Sequence, residues 1–412
     1  MERSKTASKK VTRVTAGVLT VLFLGFIFAA FFTMLANSRH ELLHSIQMTP
    51  ELKATLPENP DKLDRLAARI NSFTAAIAEN MWLKTEMGYA NSSFQYALGK
   101  KVINTGSQNM IKLTTGHYYD LADYKPLRDN AEEIIALRDT TLAGLPFLFV
   151  YEHPTLYDDA MMPAGYEALD HSAQMADEVI AALREGGIEV LDSRQVLPES
   201  GRDLNDLLMV TDQHWSTLAA ITMAQRIAAE LNDMTGAELD PSLLDLENFN
   251  TLTHEKLFLG KYGQRLGTGL VDPDDIVEYW PTYDTEISRE TKRVVSIDHA
   301  AGSFREAVTR FDRLEPDPGK TWNELAYTYY GQVEAYDLLT NEAAPDYTIL
   351  LLKDSYSAPI GTFMSLLARN VLCVDMRRDV QSLDWWVEQY HPDVVVMAYS
   401  LQMLRDDDYA FN

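Results

Sequence analysis

Two short stretches of the chain carry residue types suited to acyl chemistry. "TDQHWS" sets Asp212 and His214 two residues apart, with Trp215 next. A carboxylate that accepts the Nδ1–H of a histidine fixes its tautomer and leaves Nε2 free to act as a general base. In an extended turn, residues two apart point to the same side, so this spacing lets the two side chains meet. Far downstream, "LLLKDSYSAP" puts Lys353, Asp354 and Ser355 just past an apolar run and before a helix pattern. A serine at a strand-to-helix turn lies near free backbone N–H groups that can hold an oxyanion. Asp212, His214 and Ser355 together suit acyl transfer through a covalent serine ester. Both stretches also suit plain structural roles. Asp354 or Ser355 serves well as a helix N-cap, and His214 can stack on Trp215 at a helix start.

The surrounding pattern predicts how these residues are positioned. "FLFVYE", "IEVLDS", "YTILLLK", "NVLCVDM" and "PDVVVMAYS" are short, continuous apolar runs separated by helix patterns. Such alternation predicts a parallel sheet covered on both faces, with its chemistry at the carboxyl ends of the strands. The helix patterns include "PLRDNAEEIIALRDTTLAG", "YEALDHSAQMADEVIAALREGG" and "STLAAITMAQRIAAEL". Residues 235–345 break the alternation and read as an irregular, partly β insertion. "YANSSFQYALGKKVI" through "GHYYDLADY" reads as strand-rich, with aromatic residues between Gly and Asn punctuation.

The first residues read differently. Residues 1–13 form a basic tail with Arg3, Lys5, Lys9, Lys10 and Arg13, and residues 14–36 carry no charge. About 20 apolar residues span a bilayer core, and preceding basic residues hold that end in the cytoplasm. The expectation is an uncleaved single-pass anchor, because "FTMLANS" lacks the small residues of a cleavage site. Residues 37–85 then read as a helical stalk or subdomain, and residues 86–412 as an extracytoplasmic domain. Residues 1–40 hold 6 of the 36 Lys and Arg and 1 of the 61 Asp and Glu, so the remaining 30 basic and 60 acidic residues give a net −30. Such a body repels nucleic acid and anionic lipid. The single cysteine, Cys373, excludes an internal disulfide and sits in an apolar run as a small core residue. No stretch has zinc-ligand spacing or a glycine-rich phosphate loop, so no cofactor is expected.

"TDQHW" followed at a distance by "LLLKDSY" resembles the DHHW family and is similar to the SGNH-hydrolase-like proteins of alginate O-acetylation. The resemblance covers most of residues 90–412. It includes "GLPFLFVYEHP" as a first sheet strand, "FLGKYGQRLGTG" as a Gly-rich hairpin and "AYTYYGQVEAYDLLTNEAAPDYTILLLKDSY" as the approach to the serine. It implies an SGNH-like α/β fold of rearranged order, Asp-x-His before Ser, with Asp212, His214 and Ser355 as the triad. Two positions depart from the family pattern: Gln213 stands where the motif has His, and Lys261 follows Gly260 where a Ser is common. The second departure leaves the polar role of that hairpin open. Trp215, Tyr356 and Arg377 are candidates to contact substrate. Arg377 and Arg378 follow the strand "VLCVDM", where a guanidinium could orient an acyl oxygen or pair on the surface. His153 ends its strand in a structural, hydrogen-bonded role. The expected activity is transfer or removal of an acyl group, acetyl first, on a cell-surface glycan, with a multispanning membrane acyltransferase as partner. A plain esterase and a non-catalytic glycan-binding scaffold are the alternatives.

Overall fold

The computed structural model describes residues 84–405, apart from 107, 293–295, 332–334 and 379–380, together with scattered positions between 21 and 71. Two compact units are present, residues 1–91 and 92–412. In the first, the described positions before 84 are helical. The anchor expected at 14–36 and the stalk expected at 37–85 lie mostly outside the described residues. No helix among the described residues is long and apolar enough to cross a membrane.

The five apolar runs form the five parallel strands of the main sheet. In chain order the strands are β1 (Val102–Asn104), β2 (Asn109–Lys112), β3 (Tyr118–Asp120), β4 (Phe147–Glu152), β5 (Glu189–Asp192), β6 (Phe249–Phe258), β7 (Asp274–Pro281), β8 (Ile287–Lys292), β9 (Ile297–Gly302), β10 (Tyr336–Asn341), β11 (Thr348–Lys353), β12 (Asn370–Val374) and β13 (Val394–Ser400). The main sheet runs β5-β4-β13-β11-β12-β10-β8-β9. Its first five strands are parallel, and β10, β8 and β9 extend it antiparallel.

Side chains alternate between two apolar layers, as a period of two requires. Leu148, Val150, Ile349, Leu351, Val394 and Val396 enter one layer. Phe147, Phe149, Leu350, Leu352, Val395 and Met397 enter the other. Besides the short helical segments Leu204–Leu207 and Phe304–Val308, the helices among the described residues include α1 (Lys84–Ala97), α2 (Arg128–Asp139), α3 (Ser172–Glu185), α4 (Ser193–Glu199), α5 (Thr217–Thr235), α6 (Lys261–Leu266), α7 (Ala358–Met364), α8 (Leu383–Tyr390) and α9 (Leu401–Arg405). Residues of α4, α5 and α7 fill the first layer, and residues of α2, α3, α8 and α9 fill the second. Each fully buried Leu, Val or Ile contributes about 1.5–3 kcal/mol, so the two layers hold the strand ends in place. Cys373 lies in β12, buried, and burial pushes its thiol pKa up.

Three expectations need correction. Residues 89–97 are not strand but the second half of α1. Gln95 on this helix bonds the Asn104 carbonyl at 2.8 Å and the Asn104 N–H at 3.1 Å, so tertiary contacts outweigh the aromatic strand signal. "FLGKYGQRLG" is not a hairpin, because Lys261–Leu266 is helical and Gly267 ends the helix with φ 90°. Residues 235–345 are more regular than expected, since β8, β9 and β10 complete the main sheet and β6 and β7 form a separate ribbon.

Candidate active site

The site is built where the sheet's winding reverses. From β4 the chain steps outward to β5, while from β11 it steps the other way to β12, and β13 closes the gap between them. Such a reversal leaves a crevice outside the carboxyl ends of the strands. Ser355 lies two residues past β11, in the turn before α7. Asp354 shapes that turn. Its carboxylate accepts from the Tyr356 N–H at 2.8 Å and, across the sheet, from the Ser400 N–H at 2.9 Å. Ser357 Oγ donates to the Ala398 carbonyl at 3.0 Å. Asp354 therefore serves the backbone while Ser355 faces away from it.

Asp212 and His214 sit in the loop before α5. Ser216 caps that helix, its Oγ accepting from the Ala219 N–H at 3.4 Å. Buried Ala220, Met223, Ala224, Ile227 and Leu231 then fix α5 on the sheet. The Asp212 Oδ1 and His214 Nδ1 are 2.5 Å apart, and the His214 Nε2 is 2.8 Å from the Ser355 Oγ. A continuous hydrogen-bonded chain thus links three residues spread over 144 positions in sequence. Asp212 and His214 are buried, and Ser355 is partly exposed. Burial pushes the Asp212 carboxyl up. The His214 ring and hydrogen bonds from the His214 and Lys261 backbones outweigh it, so the pKa falls below the ordinary carboxylate value.

The ribbon and α6 brace this loop. Gly260 is the residue before α6, and a Cβ there would stand 2.3 Å from the Asp212 Cβ. The Lys261 N–H donates to the Asp212 Oδ2 at 2.7 Å. Position 261 thus has a polar role that uses its backbone, whichever side chain it carries. Gly260 N–H also donates to the Thr211 Oγ1 at 2.9 Å. Asp274, the first residue of β7, accepts from the Val210 and Thr211 N–H groups at 2.8 Å each and from the Thr211 hydroxyl at 2.5 Å. Burial raises the Asp274 pKa to about 6 against these donors.

The remaining expected residues fall in different places. Trp215 is buried, and its indole N–H donates to the Tyr356 carbonyl at 3.0 Å, tying the His214 loop to the Ser355 turn. Tyr356 packs its ring 4.6 Å from the His214 imidazole. Both line a small pocket of about 10 Å³ beside Ser355. Arg377 is held by Asp375 through two bonds of 2.8 and 2.7 Å, and Arg378 lies 3.3 Å from the same carboxylate. His153 is buried and its Nδ1 lies 2.8 Å from the Tyr151 hydroxyl. Burial, helped by the Arg194 charge, lowers its pKa to about 3, so it stays neutral. Sequence reasoning missed Tyr327, whose ring stacks on the His214 imidazole at 4.3 Å and 23°. It also missed Gly260, Thr211 and Asp274. No spacing rule points to residues that act through backbone N–H groups or ring faces.

Residues 145–268 match the family model of the SGNH hydrolase-like domain of the acetyltransferase AlgX. The match contains Asp212 and His214 and ends before Ser355. No curated protein matches the sequence. Among solved structures, a DHHW family protein from Eubacterium siraeum superposes with a TM-score of 0.57 at 16% identity, covering 75% of this chain and 95% of that one. Bacillus cereus PatB1, solved with a sulfonyl adduct, superposes with a TM-score of 0.59 at 13% identity, covering 75% and 100%. At these identities the likeness shows a shared fold. The resemblance to the DHHW and AlgX-type SGNH proteins, read first from "TDQHW" and "LLLKDSY", is borne out.

Proposed function

We propose that this protein is a serine-dependent O-acetyltransferase acting on a cell-surface polysaccharide. The observation that carries the reading is the chain of short contacts from Asp212 through His214 to Ser355. The match to an acetyltransferase's SGNH-like domain supports acetyl as the group moved. Ser355 Oγ attacks the acyl carbonyl as His214 Nε2 takes its proton, and Asp212 stabilises the imidazolium. The Ser355 N–H, which makes no hydrogen bond among the described residues, donates to the developing oxyanion. The donor's leaving group takes the proton back from His214 and departs, leaving acetyl-Ser355. A sugar hydroxyl then gives its proton to His214 and attacks this ester. The tetrahedral intermediate collapses, the acetyl moves to the sugar oxygen, and the proton returns to Ser355.

Tyr327 and Tyr356 both pack their rings against the imidazole, which holds it in one orientation. The uncharged run at 14–36 supports an N-in, single-pass anchor with the SGNH-like unit outside the cytoplasm, and a multispanning acyltransferase is the partner proposed to supply acetyl groups. The test is acetyl transfer by the full-length protein from an activated acetyl ester to a panel of glycans, with hydrolysis measured alongside. Transfer in excess of hydrolysis is expected. Hydrolysis alone would make the protein an esterase, and no turnover by folded protein would make it a scaffold.

A further inference from the structure

A cleft of about 480 Å³ lies between the end of α1, the three-stranded sheet β1–β3 and the end of α6. Its walls carry Lys100, Lys101 and Lys112, and no Asp or Glu lines it. All three lysines are exposed, and none has an ion-pair partner among the described residues. The chain as a whole carries 61 acidic and 36 basic residues. Elsewhere Lys256 and Lys320 each lie 3.2 Å from an aspartate. Lys100 Nζ donates to the Gln95 side-chain oxygen at 3.3 Å and Lys112 Nζ lies 5.5 Å from the Tyr118 ring centroid, so three ammonium groups without an acid share one rim and create a positive field in a negative body. Tyr96, about half exposed, stands at the same rim. Ile103, Leu113 and Leu266 contribute apolar surface to the lining. A tyrosine ring beside ammonium groups suits a ligand with an apolar ring face and acidic substituents.

We propose that this cleft binds an acidic saccharide, one whose sugar ring packs on Tyr96 and whose carboxylate or phosphate groups pair with Lys100, Lys101 and Lys112. The cleft is separate from the Ser355 pocket but mechanically close to it. Leu266 ends α6, and the N–H of Lys261 at the other end of that helix holds Asp212. Six residues at 1.5 Å rise put the two ends roughly 8–9 Å apart. Its role as a holding site for the acceptor chain rests on the transferase reading above, whereas its ligand chemistry does not.

The test is direct binding to the full-length protein in detergent, by calorimetry, of oligogalacturonate, a phosphorylated mannan oligosaccharide, neutral maltohexaose and inorganic phosphate. At least one acidic oligosaccharide should bind, more weakly as salt rises, and the stronger of the two identifies the acid. The triple variant Lys100→Gln, Lys101→Gln, Lys112→Gln should bind it about tenfold more weakly or worse. Its melting temperature and its hydrolysis of an activated acetyl ester should be unchanged. Equal binding of maltohexaose, equal binding by the triple variant, or phosphate binding as tight as either acidic oligosaccharide would overturn the proposal. So would absence of binding in a protein that melts cooperatively. The binding readouts need no turnover, so a protein that binds acidic saccharide and never moves acetyl would sink the transferase reading alone.

Discussion

Gly260 lies so close to Asp212 that a single added methyl would stand 2.4 Å from the carboxylate oxygen Oδ2 and 2.3 Å from Cβ. The same approach brings the Lys261 N–H to that oxygen. A glycine is therefore required here by proximity, since its φ of −69° suits any residue. Gly260→Ala is expected to cost about 1–3 kcal/mol of stability by overpacking. Activity should fall further than stability, by tenfold or more, because the displaced group is the carboxylate that orients His214. Melting temperature and esterase rate on the same sample check both.

Asp274 is the second support of the loop. It satisfies two buried backbone donors and one hydroxyl. Asp274→Ala leaves those donors unpaired and should destabilise by about 1–3 kcal/mol. The pH dependence follows from its pKa, raised to about 6 mainly by burial. A raised native value means this group's stabilising contribution is full below its ordinary pKa and is lost as pH rises through about 6. Asp274→Asn removes that titration, so the variant's denaturation midpoint should fall less than wild type's between pH 4 and 6.5. An unchanged pH slope would contradict the assignment.

Much of this arrangement is legible in the sequence, and the rest has identifiable reasons for being hidden. The five parallel strands announce themselves because strands buried on both faces are continuous apolar runs of the right length. The Asp212–His214 spacing works because residues two apart share a side in extended chain. The serine follows from its place at a strand end. Tyr96 and its neighbours mislead because an aromatic residue on a helix looks like a strand signal until Gln95 is seen to bond Asn104. Gly260 and Lys261 mislead because glycine spacing suggests a turn, whereas the glycine is there to admit Asp212. Trp215 lines the pocket beside Ser355, and what its sequence position does not show is that its indole N–H also joins two segments 141 residues apart.

Glu152 ends β4 with its carboxyl fully buried. Burial, and after it the neighbouring Asp354 charge, raises its pKa well above the ordinary carboxylate value. Its neutral form is thus the stable one in the fold, and this contribution is lost as pH rises through the raised native pKa. Glu152→Gln keeps the neutral shape and removes the titration. It should match wild type near pH 4, below the ordinary glutamate pKa, and exceed it increasingly as pH rises, measured as urea midpoints. A variant less stable than wild type at every pH would show that the ionised carboxylate is the form the fold uses.

The three linked residues should behave as a unit. Ser355→Ala and His214→Ala are each expected to lower acetyl-ester turnover by about 10³-fold or more, and the double variant little further. Asp212→Ala should keep somewhat more activity, because His214 still samples the productive orientation. Ser355→Ala should leave the fold intact, since its partly exposed hydroxyl makes one contact with His214. Multiplicative losses in the double variant would mean that Ser355 and His214 act independently.

The central claim is that Ser355 Oγ carries the acetyl group between donor and acceptor. Peptide mass spectrometry after rapid acid quench of the protein with an activated acetyl ester tests it directly. One acetyl group is expected on the peptide containing Ser355 in the wild-type protein. It should be absent from Ser355→Ala and discharged when an accepting glycan is added before the quench. An acetyl group on another residue that turns over with the substrate, or full turnover by Ser355→Ala, would contradict the account.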